Sequence, residues 1–314
     1  MCRIWTHPTD PADEIQPQHL ERLPETFFTN IGGGETFLRD DLDDVVRVLL
    51  PKTRRMVIST NGQLTDRIIR FAERFPDVGI RISIDGLAQT HDRIRGVAGS
   101  FNRAYRTLRS LVEMGHSDCG MAMTVQDRNF TDLFALYHLA RELRVEFATG
   151  LVQNAAYFRT NENRINRRHE VAHALEKLSG RQLASWRPKS WFRAYFNAGL
   201  AQRARGELPP RRCAMGSEGG FVTDPSGDVL PCNSHDRRLV LGNLRRQTWD
   251  EIWNGPQAAA VRRTVAACDK KCWAIGNVAP EIWRHPGQVA AWVGGALITN
   301  TFGMGHLRHP LRQT

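Results

Sequence analysis

The sequence predicts an α/β chain, a partial (β/α) TIM-like barrel followed by a small C-terminal cysteine-rich module. Three observations carry that expectation. Short β-type runs alternate with helical patterns of roughly 10 to 14 residues through the first half. Glycine-bearing turns at Gly33-Gly34, Asn61-Gly62 and Asp85-Gly86 each follow an apolar run. Four of the 6 cysteines, Cys213, Cys232, Cys268 and Cys272, fall in the last third.

Each element has a local reason. Residues 26–31 read as a first strand, and 40–50 as a helix whose acidic start suits the positive end of the helix dipole. The apolar run 55–59 is a second strand, and the helix 64–74 after it is closed by Pro76. Residues 78–84 form a third strand and 101–114 a third helix. Residues 120–125, 131–143 and 145–149 continue the alternation as strand, helix and strand. Parallel strands joined by right-handed crossovers bind ligands at their carboxyl ends, where all three glycine turns fall. Residues 161–209 carry Arg, Ala, Leu and Trp at helical spacing, with Trp186, Trp191, Phe192 and Tyr195 read as core. The expected divisions are a barrel over 1–160, a helical bridge over 161–209, the module over 210–286, and a peripheral helix and tail over 287–314.

The net charge is +10, from 43 Lys and Arg against 33 Asp and Glu. The basic residues are dispersed in pairs such as Arg54-Arg55, Arg167-Arg168, Arg211-Arg212 and Arg237-Arg238, without a long basic run or an aromatic stripe. That pattern predicts an arginine-rich solvated surface and argues against nucleic-acid binding; an acidic substrate or partner is the other reading. The longest weakly polar stretch, 289–304, is too short and too polar to span a bilayer. No basic start precedes an apolar core, so a cytoplasmic chain with no membrane partner is expected. Cysteines in such a chain point to metal binding before disulfides.

Gly33 and Gly34 let backbone approach a ligand, and their exposed carbonyls can accept from an ammonium group; a plain structural turn reads equally well. Ser59-Thr60-Asn61-Gly62 is by itself a turn signal. Strand alternation puts Ser83 and Asp85 on one face, a hydroxyl and a carboxylate suited to polar recognition, and Arg95 is a bidentate carboxylate binder. Thr124, Gln126, Gln153 and Asn154 end the next two strands, while His91 reads as structural. In the module, a hairpin over 220–231 around Pro225-Ser226-Gly227-Asp228 would fold distant cysteines together. By spacing, four thiolates suit Zn²⁺ or a 4Fe–4S cluster alike.

Together these stretches resemble the radical S-adenosylmethionine (SAM) enzymes that carry a SPASM or twitch auxiliary-cluster domain. The resemblance rests on Gly33-Gly34-Glu35 (with Thr36 where Pro is usual), Ser59 to Gly62, Ser83 to Gly86 and His91 to Gly96. In the module it rests on Cys213-x13-Gly227-x4-Cys232, Leu241 to Leu244, Trp249 to Gly255 and Cys268-x3-Cys272-Trp273. It implies SAM bound at Gly33, Gly34, Glu35, Ser59, Asn61, Ser83, Asp85 and Arg95. It also implies one auxiliary 4Fe–4S cluster on Cys213, Cys232, Cys268 and Cys272, the single-cluster twitch type.

The same resemblance implies a second, SAM-cleaving cluster held by a Cys-x3-Cys-x2-Cys loop, of which Cys2 is the last member. On that reading the chain starts inside the loop, its first barrel strand is missing, and the 314 residues are inactive by themselves. A start codon placed too far downstream is the economical explanation, with true degeneration as the other. The implied activity is generation of a 5′-deoxyadenosyl radical and hydrogen abstraction from a peptide or small-molecule substrate. A reductant such as flavodoxin or ferredoxin would supply the electron. The alternative is a non-catalytic or degenerate iron–sulfur or zinc protein.

Overall fold

A computed structural model describes residues 1–185, 187–208, 215–216, 220–270 and 272–301. Five parallel strands form the main sheet in chain order: β1 Thr29–Ile31, β2 Met56–Thr60, β3 Gly79–Ser83, β4 Cys119–Val125 and β5 Glu146–Leu151. Between them run α2 Leu42–Leu49, α3 Thr65–Arg74, α4 Ala88–Arg95, α5 Ser100–Glu113 and α6 Leu133–Glu142; the short α1 Pro17–Leu20 precedes the sheet. This is the partial (β/α) barrel that the alternation predicts. β1 is shorter than expected, because Phe27 and Phe28 turn outward and only a single bridge, Thr26 to Thr53, extends the pairing. Helix α4 was not foreseen: it is strongly charged, buries a single residue, His91, and ends on Gly96 at φ +71°.

The antiparallel partners α7 Arg168–Leu183 and α8 Pro188–Arg205 follow the sheet in the chain. Polar groups sew them to the sheet: Thr149 Oγ1 of β5 bonds Asn197 Oδ1 at 2.5 Å, and Asn197 Nδ2 donates to Gln182 Oε1 at 2.8 Å. Of the four aromatics read as core, Tyr195 is buried, Trp191 and Phe192 are half-buried against the core, and Trp186 lies outside the described residues.

The module opens with an antiparallel sheet of β6 Val222–Thr223, β7 Asp228–Leu230 and β8 Gly242–Asn243. The β6–β7 hairpin is the expected one. Asp224 Oδ1 accepts from Ser226 N, Ser226 Oγ and Asp228 N, and Gly227 takes φ +86°, a conformation that penalises any Cβ. Helices α9 Trp249–Asn254, α10 Pro256–Ala266, α11 Ile275–Arg284 and α12 Pro286–Thr301 follow among the described residues. The early segment straps this module to the barrel: Ile15 N donates to Pro225 O at 2.6 Å, while Arg39 Nη2 donates to Ile15 O at 2.5 Å. Among the described residues no helix is long and apolar enough to cross a membrane.

Candidate functional site

The main sheet has two unlike faces. Register aligns Ile58, Ile80 and Cys119 in one row and Thr60, Ile82, Met121 and Phe147 in the next, all buried. The other face carries Ser59, Arg81, Gly120 and Glu146 in one row, then Ser83, Ala122 and Ala148, then Thr124 and Gly150. Apart from Arg81 and Gly120 these residues are only half-buried. The result is a concave surface of small and polar groups rising toward the strands' carboxyl ends.

Its floor is an ion cluster. Arg81 reaches Glu146 Oε2 at 2.6 Å and Asp118 Oδ1 at 2.6 Å, passing over Gly120. A Cβ on Gly120 would stand 2.5 Å from Glu146 O, so glycine is what lets the Glu146 backbone of β5 lie this close to β4. Arg193 and Lys189 of α8 also pair with Glu146, and Arg55 pairs with Asp118.

At the rim, Gly33 and Gly34 are exposed, Gly33 at φ +143°, and a Cβ on either would meet nothing within 4 Å. Glu35 ties this turn to the end of β2. Its Oε1 accepts from Phe37 N at 3.1 Å and Thr60 Oγ1 at 2.6 Å, and its Oε2 from Asn61 N at 2.7 Å. Three donors on four lone-pair positions leave one acceptor position on Oε2. Ser59 Oγ donates to Asn30 Oδ1 at 3.1 Å, and Asn61 Oδ1 caps Gln63 N at 2.9 Å. Gly62 adopts φ +73°, where a Cβ would lie 2.7 Å from Ile82 Cγ2.

Asp85 is fully buried, so it is not the open polar group that alternation suggested. Its Oδ1 accepts from Thr124 N at 2.8 Å, and its Oδ2 lies 2.7 Å from Arg95 Nη2. That last contact is a charge contact without aligned hydrogen-bond geometry, since Oδ2 and Arg95 Nε both lack a hydrogen-bond partner. The structure thus brings Asp85 and Arg95 together, two residues expected to serve separately. His91 is structural, as expected: Nδ1 accepts from Asp85 N at 3.0 Å, leaving Nε2–H for Ser100 Oγ at 3.2 Å. Burial and the neighbouring Arg95 charge push its pKa down, which keeps the ring neutral at pH 7.

Asn129 is a residue that sequence reasoning missed. Buried beyond β4, it donates to Asp85 O at 2.8 Å and Thr124 O at 2.9 Å and accepts from Gln126 N, clamping the ends of β3 and β4. The only available signal was an asparagine four residues past a strand end. Gln153 and Asn154 turn toward the module: Gln153 Nε2 meets Ser234 Oγ at 3.3 Å, and Lys270 Nζ donates to Asn154 O at 2.6 Å.

Cys2 lies beside the ends of β4 and β5, its Sγ 4.0 Å from Phe158 O, near Met1, whose Sδ accepts from Gln126 Nε2. In the module, Cys232 and Cys272 are half-buried and Cys268 is exposed, while Cys213 lies outside the described residues. Burial pushes the Cys232 thiol up, opposed by N–H groups of Ser234 and His235 aimed at its sulfur and by Lys270; the Cys268 sulfur is close enough to add to the rise. A cleft of about 430 Å³ opens beside Cys268, lined also by His235, Arg237, Thr264 and Lys270. Among the described residues no three His, Cys, Asp or Glu side chains converge on one metal-sized point. The donor chemistry nevertheless fits an iron–sulfur group: soft cysteine sulfurs, amide hydrogens directed at one of them, and a nearby cation to balance the charge.

Comparison with known proteins agrees. The radical SAM superfamily matches residues 5–140, and an iron–sulfur cluster-binding domain, SPASM, matches residues 213–274. The pre-heme d1 synthase of Dinoroseobacter shibae is 28% identical over 277 residues, 79% of this chain and 67% of that protein. The mycofactocin maturase MftC of Mycolicibacterium smegmatis is 34% identical over 247 residues, covering 74% and 59%. An AdoMet-dependent heme synthase of Methanosarcina barkeri is 26% identical over 266 residues, covering 77% and 72%. Among solved structures, anSMEcpe with bound AdoMet superposes with a TM-score of 0.58 at 12% identity, over 89% of each chain. SuiB of Streptococcus suis bound to precursor peptide SuiA gives 0.53 at 14%, over 79% of this chain and 60% of that one. Identities this low establish the shared fold and no more. The two matched domains bring with them SAM and iron–sulfur clusters as cofactors. Residues 5–140 are thus a radical SAM domain, and residues 213–274 a SPASM-type iron–sulfur cluster-binding domain.

Proposed function

We propose that the protein binds SAM on the concave face of the main sheet and uses the derived 5′-deoxyadenosyl radical to abstract hydrogen from a peptide or small-molecule substrate. The carrying observation is that face itself, with small and polar rows rising from a charged floor to an open glycine turn. When bound, a reduced iron–sulfur cluster supplies the electron that cleaves SAM. The chain's own residues bind and orient. Gly33 and Gly34 offer carbonyls, and Glu35 its remaining acceptor position, to the SAM ammonium group. Ser59, Asn61 and Ser83 line the ribose side. Asp85 positions Arg95, whose remaining N–H donors face the SAM carboxylate.

Cys213, Cys232, Cys268 and Cys272 would hold one auxiliary 4Fe–4S cluster, and Cys2 would be a ligand of the SAM-cleaving one. A flavodoxin- or ferredoxin-type reductant in the cytoplasm fits these oxygen-sensitive groups. The peptide bound to SuiB supports a peptide substrate, whereas the heme synthase relatives support a small molecule.

The test is release of 5′-deoxyadenosine from SAM under anaerobic conditions with a strong reductant. One thiolate cannot retain a cluster that needs three, so the 314-residue polypeptide should release none. A longer polypeptide that places two further cysteines ahead of Cys2 in a Cys-x3-Cys-x2-Cys loop should release it, and Cys2→Ala in that form should abolish the release. Release from the shorter polypeptide, or none from the extended one carrying both clusters, would refute the proposal.

A further inference from the structure

The residue after Cys272 is held more firmly than a surface loop requires. Trp273 is 1% exposed, and its Nε1 donates to Phe196 O of α8 at 2.8 Å. Its ring stacks on Phe196 at 6.1 Å and 19°, and meets Tyr195 edge-on at 6.2 Å. The indole lies in a notch at Gly199, where a Cβ would stand 2.3 Å from Trp273 Cε2 and 2.4 Å from Nε1. Glycine inside a helix costs about 1 kcal/mol relative to alanine, so a mid-helix glycine calls for a close approach of this kind.

Phe196, Gly199 and Arg203 follow one another at i, i+3 and i+7, and so share one face of α8. Arg203 is half-buried about one turn beyond the notch. Burial lowers the Arg203 pKa, and the Cys272 sulfur offsets part of that. The same helix is anchored to the barrel through Asn197 and Thr149 of β5.

We propose that α8 seats and tunes the auxiliary cluster: Gly199 receives Trp273, which fixes the position of Cys272, and Arg203 sets a positive charge beside that ligand. This rests on the reading of the four module cysteines as 4Fe–4S ligands. A cluster on four thiolates gains one negative charge on reduction. A cation held nearby in a poorly solvated site stabilises the reduced form more than the oxidised form and raises the reduction potential. Trp273, Gly199 and Arg203 are positioning residues in this scheme.

The 314-residue protein, reconstituted anaerobically, provides the test, with iron content, the electron paramagnetic resonance spectrum and a redox titration as readouts. About four irons per chain are expected in the parent protein. Arg203→Met should lower the midpoint potential with iron content unchanged, and Arg203→Lys should restore most of the shift. Gly199→Ala should displace Trp273, reduce the retained iron and broaden the spectrum. Stoichiometric zinc or no iron in the parent protein would overturn the cluster reading and this proposal with it. Four irons in the parent, with an unmoved potential in Arg203→Met, would overturn this proposal and leave the cluster reading standing.

Discussion

Replacing Glu146 by Gln tests the charged floor of the concave face. The Glu146 side chain is 8% exposed and faces Arg81 at 2.6 Å, Lys189 at 2.6 Å, Arg55 at 3.7 Å and Arg193. Asp118 is the other carboxylate in the group, 2.6 Å from Arg81 and 2.9 Å from Arg55. Cations therefore outnumber carboxylates, and removing an acid should hurt more than removing a base. Glu146→Gln should cost about 3–5 kcal/mol, the usual cost of leaving buried charge uncompensated. Arg81→Met leaves both carboxylates with other partners and should cost only about 1–2 kcal/mol.

The pH dependence sharpens the test. Burial pushes Glu146 and Asp118 up, but the Arg193, Arg81 and Lys189 charges outweigh it at Glu146, and Arg81 with Arg55 does so at Asp118. Both folded pKa values are thus depressed, Glu146 far below the carboxylate range. Below the unfolded values, near about 4, the unfolded chain binds protons that the folded chain refuses. Stability should be fully present above that pH and fall by about 1.4 kcal/mol per pH unit for each of the two carboxylates below it. Urea unfolding followed by circular dichroism between pH 7 and 3 reads this slope without added salt. Glu146→Gln should remove roughly half of it. A parent protein with no slope below pH 4, or a variant with the parent's slope, would refute the reasoning.

Two further outcomes concern the rim. Gly62→Ala places a Cβ at φ +73° and 2.7 Å from Ile82 Cγ2, so it should lower stability by about 1–3 kcal/mol and weaken SAM binding in calorimetry. Unchanged melting and affinity would show that the turn is not constrained. Asn129→Ala orphans the carbonyls of Asp85 and Thr124 and should cost about 2–4 kcal/mol in denaturant melts. Asn129→Asp should fail to rescue, because a carboxylate cannot donate to those carbonyls; rescue by Asp would refute the clamp.

The local features were legible in the sequence because they depend on neighbours in the chain. Strand–helix alternation follows from apolar period, the positive φ of Gly227 from its place in a Pro-Ser-Gly-Asp turn, and the glycine turns from their places at strand ends. Helix α4 escaped notice because periodicity registers apolar stripes, and this helix buries one histidine. The rest depended on residues far apart in sequence meeting in space. Asp85 read as an open ligand group until β4 supplied the Thr124 amide and α4 brought Arg95 beside it. Gly120 and Gly199 carried no signal of their own, for what each accommodates comes from elsewhere in the chain: the Glu146 backbone of β5 beside Gly120, and the Trp273 ring against Gly199 of α8. A sequence displays which backbone conformations a residue tolerates, but which side chain arrives beside it is settled only when the sheet and helices pack.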